Sequence, residues 1–227
     1  MHIFISGATG RNGRLILAEA LSRNHTVTVL ARDPSSLTPH PNLTIIKGTP
    51  TSLQDVQTAL STPTLPSAIL TTINQRRVSE NPFAALSPDT PTDLLTSTAK
   101  ILLSAIANTN FTGHPSPKIV VNSLFGARES MDNMAWPLRF VLTHSTMKIA
   151  IKDHNNMDEL IRQSGLPFVF ARPARLTEGP AEAVRIWPDN GQGCGWNPAI
   201  SRASLAEWMI KAAEANEWDG RSPVLTK

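Results

Sequence analysis

The stretch ISGATGRNGRLILAEAL carries three glycines at a spacing of three, Gly7, Gly10 and Gly13, between a short apolar run and a helix-like segment. Those residue types at that spacing can grip an anion. One glycine permits a tight turn, another lets a phosphate approach the backbone, and the third lets the helix close on the strand before it. The N–H groups of the first helical turn then face the ligand. The pattern is GxxGxxG rather than GxGxxG, and a glycine-rich strand–helix turn without a ligand has the same spelling. Context supports the ligand: the loop follows a first strand and leads to a second within one βαβ length. Gly7, Thr9, Gly10, Arg11, Asn12 and Gly13 are therefore read as a diphosphate cradle.

The second strand ends in VLARDP. NAD-binding chains place an acid there for the ribose hydroxyls, whereas here Arg32 stands at the strand end and Asp33 follows. A guanidinium suits a 2′-phosphate by charge and by its forked donors. Arg11, within the glycine loop, is a second cation for the same group. The expected cofactor is NADP(H) rather than NAD(H), with Thr71 and Thr72 at the end of the fourth strand beside the ribose–nicotinamide.

Ser123, in VVNSLFG, closes the fifth strand and is placed either to hydrogen-bond a substrate carbonyl or water, or to cap backbone. In KDHNNMDEL, His154 is a proton donor near neutral pH or else a packed helix residue. Lys152 and Lys148 are the alternative cations, four apart on one helix face. Trp187 and Trp196 flank the glycine-rich IWPDNGQGCGWNP, which suits a lid over a flat ring. Trp136 and Phe140 lie in another long connection, and all of these aromatics could equally cover core edges. The other histidines show no metal-ligand spacing and no GxSxG elbow occurs, so neither a metal site nor a serine hydrolase is expected.

Positioning these residues requires strands alternating with helices. HIFIS, HTVTVLAR, NLTIIKG, SAILTTI, KIVVNSLFG and PFVFARP read as six strands, with PVLT as a short last one. Helical stretches fall between them, including Lys148 to Ser164 and SRASLAEWMIKAAEAN. The expected architecture is α/β: a Rossmann-type, doubly wound parallel sheet in a single domain spanning 1–227. The connections at about 125–147 and 174–197 follow strand ends and are expected to cover the substrate.

Bulk properties narrow the partners. The 227 residues carry a net charge of +3 with no basic block, which argues against nucleic acid. A single cysteine, Cys194, excludes an intrachain disulfide and fits a reducing compartment. No run approaches a membrane span. A cytoplasmic protein follows, monomer or homodimer, with a small-molecule substrate. Tyrosine is absent altogether.

GATGRNG, VLARDPSSL, VVNSLFG, SGLPFVFARPARLTEG and SRASLAEWM occur in the order of the landmarks of a known superfamily. In them the chain resembles the atypical short-chain dehydrogenase/reductases, in the NmrA-like and biliverdin reductase B-like branch, over nearly its whole length. The resemblance implies an NAD(P)-binding fold, an active-site serine at Ser123, and a DH pair at Asp153–His154. The chain departs from the wider superfamily in lacking the Tyr-x-x-x-Lys tyrosine, in Thr49 where Asp is frequent, and in Ser204 where the SRAD pattern has Asp. The function implied is an NADPH-dependent reductase of an aromatic, quinone-like, flavin or polyketide-type molecule. The alternatives are an NmrA-like dinucleotide-binding regulator, or a non-redox isomerase, cyclase or dehydratase of secondary metabolism on the same scaffold.

Overall fold

The computed structural model describes residues 1–79 and 81–227. The first half of the chain alternates β1 (His2–Ser6), α1 (Arg11–Ser22), β2 (Thr26–Ala31), β3 (Leu43–Lys47), α2 (Leu53–Ser61), β4 (Ala68–Thr71) and α3 (Leu94–Asn108). The second half runs β5 (Lys118–Asn122), α4 (Trp136–His144), α5 (Met147–Gln163), β6 (Phe168–Pro173), β7 (Arg175–Thr177), β8 (Arg185–Trp187), β9 (Ala199–Ser201), α6 (Arg202–Glu214) and β10 (Val224–Thr226). The main sheet has the order β3-β2-β1-β4-β5-β6-β10-β8. All its pairings are parallel except β8 on β10, while β7 and β9 form a separate parallel pair.

Strands buried on both faces explain the uninterrupted apolar runs of the sequence. Ile3, Ile5, Val29, Leu70 and Val120 point to the side covered by α1 and α6. Phe4, Leu30, Ile69, Val121 and Phe170 point to the side covered by α2, α3 and α5. Each such fully buried side chain contributes roughly 1.5–3 kcal/mol of transfer free energy. From β1 the chain first builds outward to β2 and β3, then crosses to β4 on the other side. This reversal opens a crevice at the carboxyl ends of β1 and β4, the place where open α/β sheets take ligands.

The connections differ from their sequence reading. The stretch 125–147, a connection with no element assigned from the sequence, contains α4, which starts at Trp136 with Pro137 in its first turn. Proline at that point forfeits no helical bond and presets the backbone. The 174–197 stretch holds two three-residue strands, β7 and β8, and β9 follows it; runs this short carry no readable alternation. The parallel sheet expected from the sequence also gains an antiparallel edge in β8. A third apolar cluster, including Phe125, Met134, Leu142, Ile151 and Cys194, joins the two long connections. Asn133 also donates to the carbonyl of Asn190 at 3.1 Å. Among the described residues no helix is long and apolar enough to cross a membrane.

Candidate active site

The three glycines do three different things. Gly7 has φ +91°, and a Cβ there would stand 2.7 Å from the Thr72 hydroxyl. Gly13 lies under the loop, where a Cβ would drive into the Gly7 carbonyl oxygen and the Ala8 backbone. Gly10 is exposed, and its N–H donates to the Gly7 carbonyl at 3.0 Å. Gly10 is also the N-cap of α1 and supplies no side-chain acceptor. By contrast, Ser52 and Ser201 cap α2 and α6 with their own hydroxyls. The first turn of α1 therefore presents donors over a surface that side chains would block. That is the cradle a dinucleotide diphosphate needs.

Arg32 is exposed immediately beyond β2. Asp33 is engaged locally: its carboxylate accepts from the Ser35 hydroxyl at 2.7 Å and the Ser35 N–H at 3.1 Å. Those bonds hold its carboxyl below the usual carboxylate range. The side chain presented at the strand end is thus the cation. Arg11 is paired with Glu178 at 2.6 Å, and Glu178 also accepts from Arg202 at 2.9 Å. Arg202 in turn donates to Asn12 at 2.6 Å. The glycine loop is in this way tied to the connection after β7 and to the start of α6. Both guanidiniums lower the Glu178 pKa, Arg11 foremost.

The two threonines at the end of β4, Thr71 within the strand and Thr72 just after it, point in opposite directions. Thr72 donates to the Gly7 carbonyl at 3.0 Å, so its hydroxyl anchors the turn. Thr71 faces the other side of the sheet, beside Ser6 and Thr98 at a small apolar cavity. Asn122, at the end of β5, is buried, and its Oδ1 has no partner among the described residues. Such an orphaned acceptor beside the crevice is where a polar ligand group gains most.

Ser123 follows β5 and is 5% exposed, held by its N–H on the Ala171 carbonyl at 2.8 Å. Its Oγ lies 3.5 Å from Nδ1 of His154, a long contact. His154 is 1% exposed, and its Nε2 has no partner among the described residues. Burial, reinforced by the positive charge of Arg172, pushes its pKa down to about 4. At neutral pH the ring is neutral, so His154 stands behind Ser123 as a hydrogen-bonding group, not as an imidazolium.

Asp153 has a different duty. Its carboxylate accepts from the N–H groups of Leu95 at 2.8 Å and Thr96 at 2.9 Å, from the Thr96 hydroxyl at 2.6 Å, and from Gln75 at 3.0 Å. It caps α3 from a neighbouring helix. Lys152 is exposed and lies across α5 from His154, so the two are not brought together. Trp136 and Trp196 are each 79% exposed. Trp187 donates its indole N–H to Thr226 at 2.9 Å and sits under Gly193.

Sequence reading missed Arg172. Fully buried in β6, it donates to Glu129 at 2.7 Å, Asp158 at 3.2 Å and the Asp189 carbonyl at 2.9 Å. Its signal was an arginine inside the apolar run FVFARP, on the same face as Phe170. Cys194 is a small buried thiol whose pKa burial raises, so it is poorly nucleophilic.

With this geometry in place, the comparisons assign a class. Residues 7–216 match the NAD(P)H-binding family, and the chain belongs to it. Reductase pytE of Aspergillus terreus is 27% identical, over 97% of this chain and 95% of its own length. A short-chain dehydrogenase/reductase of Veillonella parvula in complex with NADP superposes with a TM-score of 0.75 at 14% identity, covering 100% and 94% of the two chains. ChuY, described as an anaerobillin reductase of Escherichia coli O157:H7, gives 0.72 at 15% identity, covering 100% and 97%. These two likenesses show the Rossmann-type fold.

Proposed function

We propose that the protein is an NADPH-dependent reductase of a flat, conjugated small molecule: aromatic, quinone-like, flavin or polyketide-type. The observation that carries this reading is the uncapped amino end of α1 above Gly7, Gly10 and Gly13, opening on the crevice between β1 and β4, with Ser123 one strand farther along. The first turn of α1 holds the diphosphate, and Arg32 takes the 2′-phosphate. The side-chain oxygen of Asn122 is available to a polar group at the nicotinamide end. The reductase relative and the NADP complex of a structural neighbour support the same assignment.

When bound, the reduced cofactor supplies a hydride. The chain supplies orientation and water exclusion. Ser123 donates a hydrogen bond to the acceptor oxygen, and the 125–147 and 174–197 connections close over the ring, with Trp136 and Trp196 on the rim. With no tyrosine to donate a proton and a neutral His154, the site favours acceptors that delocalise the incoming charge over simple ketones. Solvent completes protonation, since Lys152 lies on the outer face of α5, across the helix from His154. The same reading places the protein in the cytoplasm, as a monomer or homodimer.

The test follows NADPH absorbance against quinones, flavins and aryl ketones. The expected result is oxidation that is fastest with the quinone or flavin and slowest with the ketone. NADP binding by calorimetry with no turnover of any acceptor would replace the reductase by a dinucleotide-binding regulator or a non-redox enzyme.

A further inference from the structure

We infer that Arg172 and His154 are positioning residues that fix the direction of the Ser123 hydroxyl, by holding the His154 proton on Nδ1. Arg172 has donors only. Its terminal nitrogens are satisfied by Glu129, Asp158 and the Asp189 carbonyl, which leaves Nε–H buried without an acceptor among the described residues. His154 Nε2 is likewise buried without a partner, on a ring that lies within the field of that guanidinium. Two orphaned polar atoms are costly in a protein interior. A lone pair on Nε2 turned toward the Arg172 guanidinium suits both atoms, and Asp158, one turn after His154 on α5, holds that guanidinium at 3.2 Å. A proton on Nε2 would instead set donor against donor and point a positive dipole end at a cation.

The consequence reaches the cleft. With Nε2 as acceptor, the neutral ring carries its proton on Nδ1 and donates it to Ser123 Oγ, the atom 3.5 Å away. Because that bond fills a lone pair of Ser123, the serine proton points away from His154 and toward the carboxyl ends of the strands. Ser123 becomes a directed donor for an oxygen in the cleft, which partly replaces the missing tyrosine. The opposite tautomer would draw the serine proton inward onto Nδ1 and leave the cleft an acceptor.

The tautomer does not depend on the reductase reading; only its catalytic consequence does. Nitrogen-15 NMR of the full chain labelled at histidine, with and without NADP, reads the tautomer directly, and the His154→Asn spectrum identifies the resonance. The expected ring is protonated at Nδ1 and unprotonated at Nε2, and stays neutral from pH 7 to about pH 5.5. A proton on Nε2, or ordinary titration near the model-imidazole value, overturns the inference. A kinetic arm uses the best acceptor found. His154→Asn keeps a donor near the Nδ1 position, whereas His154→Gln moves it toward the Nε2 position. The expected kcat for Gln is at least about tenfold below that for Asn, with KM for NADPH little changed. Equal kcat values for the two variants overturn the positioning role. If wild type oxidises no NADPH, the reductase reading fails and the spectrum alone decides the tautomer.

Discussion

Gly13 lies directly beneath the carbonyl of Gly7, so close that any side chain at position 13 would occupy the space of that oxygen. The obstruction is backbone, which cannot swing aside as a side chain can. Gly13→Ala must push α1 away from β1 and spoil the row of donors at its amino end. We expect a loss of stability of about 2 kcal/mol or more and NADP binding weakened beyond tenfold. Gly10→Ala makes the informative contrast. Gly10 is exposed with φ −75°, and a Cβ there would meet only the Gly7 oxygen at 3.3 Å. Its stability should change by less than about 1 kcal/mol, while its methyl obstructs the approach to the helix end and NADP affinity still falls. Denaturant melts and calorimetry on the two variants separate the effects. Equal stability of Gly13→Ala and wild type would show that the helix end does not need this close approach.

Arg32 should decide between the two dinucleotides. It is exposed at the end of β2, while the neighbouring acid is engaged with Ser35. A charge-assisted, forked contact to the 2′-phosphate has no counterpart in NAD(H). Arg32→Ala is expected to weaken NADP by about ten- to a hundredfold and leave NAD affinity and thermal stability nearly unchanged. Equal losses for both dinucleotides would place the residue elsewhere on the cofactor.

How far the sequence reveals this site depends on the residue. The glycine loop is legible because its constraint is backbone geometry, which shows as residue type at fixed spacing. The strands are legible because burial on both faces demands continuous apolar runs, and β4, β5 and β6 stand where those runs predict. Asp153 and His154 are visible as a pair, but their duties are not. Neighbours on a helix point about 100° apart, and here one caps α3 while the other backs Ser123. Arg172 passed unnoticed because its partners, Glu129, Asp158 and Asp189, come from segments that meet only after folding. Trp187 is visible as an aromatic beside the glycine-rich stretch, but its indole contact with Thr226 is not, because it depends on the β8–β10 pairing.

The Asp153 carboxylate carries the first turn of α3. Leu95 and Thr96 give it their N–H groups in a 2%-exposed setting, and the nominal cap, Asp93, makes no capping bond. Asp153→Asn replaces one accepting oxygen by a donor facing donors. We expect a cost of about 3 kcal/mol, which for a chain of this size lowers Tm by roughly 6–12 °C. The effect should be on stability, with NADP affinity per folded molecule unchanged. A Tm within about 2 °C of wild type would mean that α3 begins without this cap.

His154 makes stability depend on pH in a defined direction. Its pKa is lowered from 6.5 in the unfolded chain to about 4 in the folded one, by burial and then by Arg172. The neutral ring is therefore favoured by folding, and between those two values the unfolded state binds more protons. Stability from this group is intact above the unfolded value and falls as pH drops from 6.5 toward 4. By pH 4.5 the loss amounts to about 2–3 kcal/mol. His2 is shifted in the same direction by burial, and the carboxylates titrate nearby, so a raw acid melt mixes several groups. The measurement that isolates His154 is the difference in unfolding free energy between wild type and His154→Asn at pH 7 and at pH 4.5. Wild type should lose its relative stability on acidification by that amount, because the asparagine cannot take up a proton. A difference independent of pH would mean that the imidazole is as easily protonated inside the protein as outside it, and that the neighbour of Ser123 becomes charged as soon as pH falls below the ordinary value of 6.5.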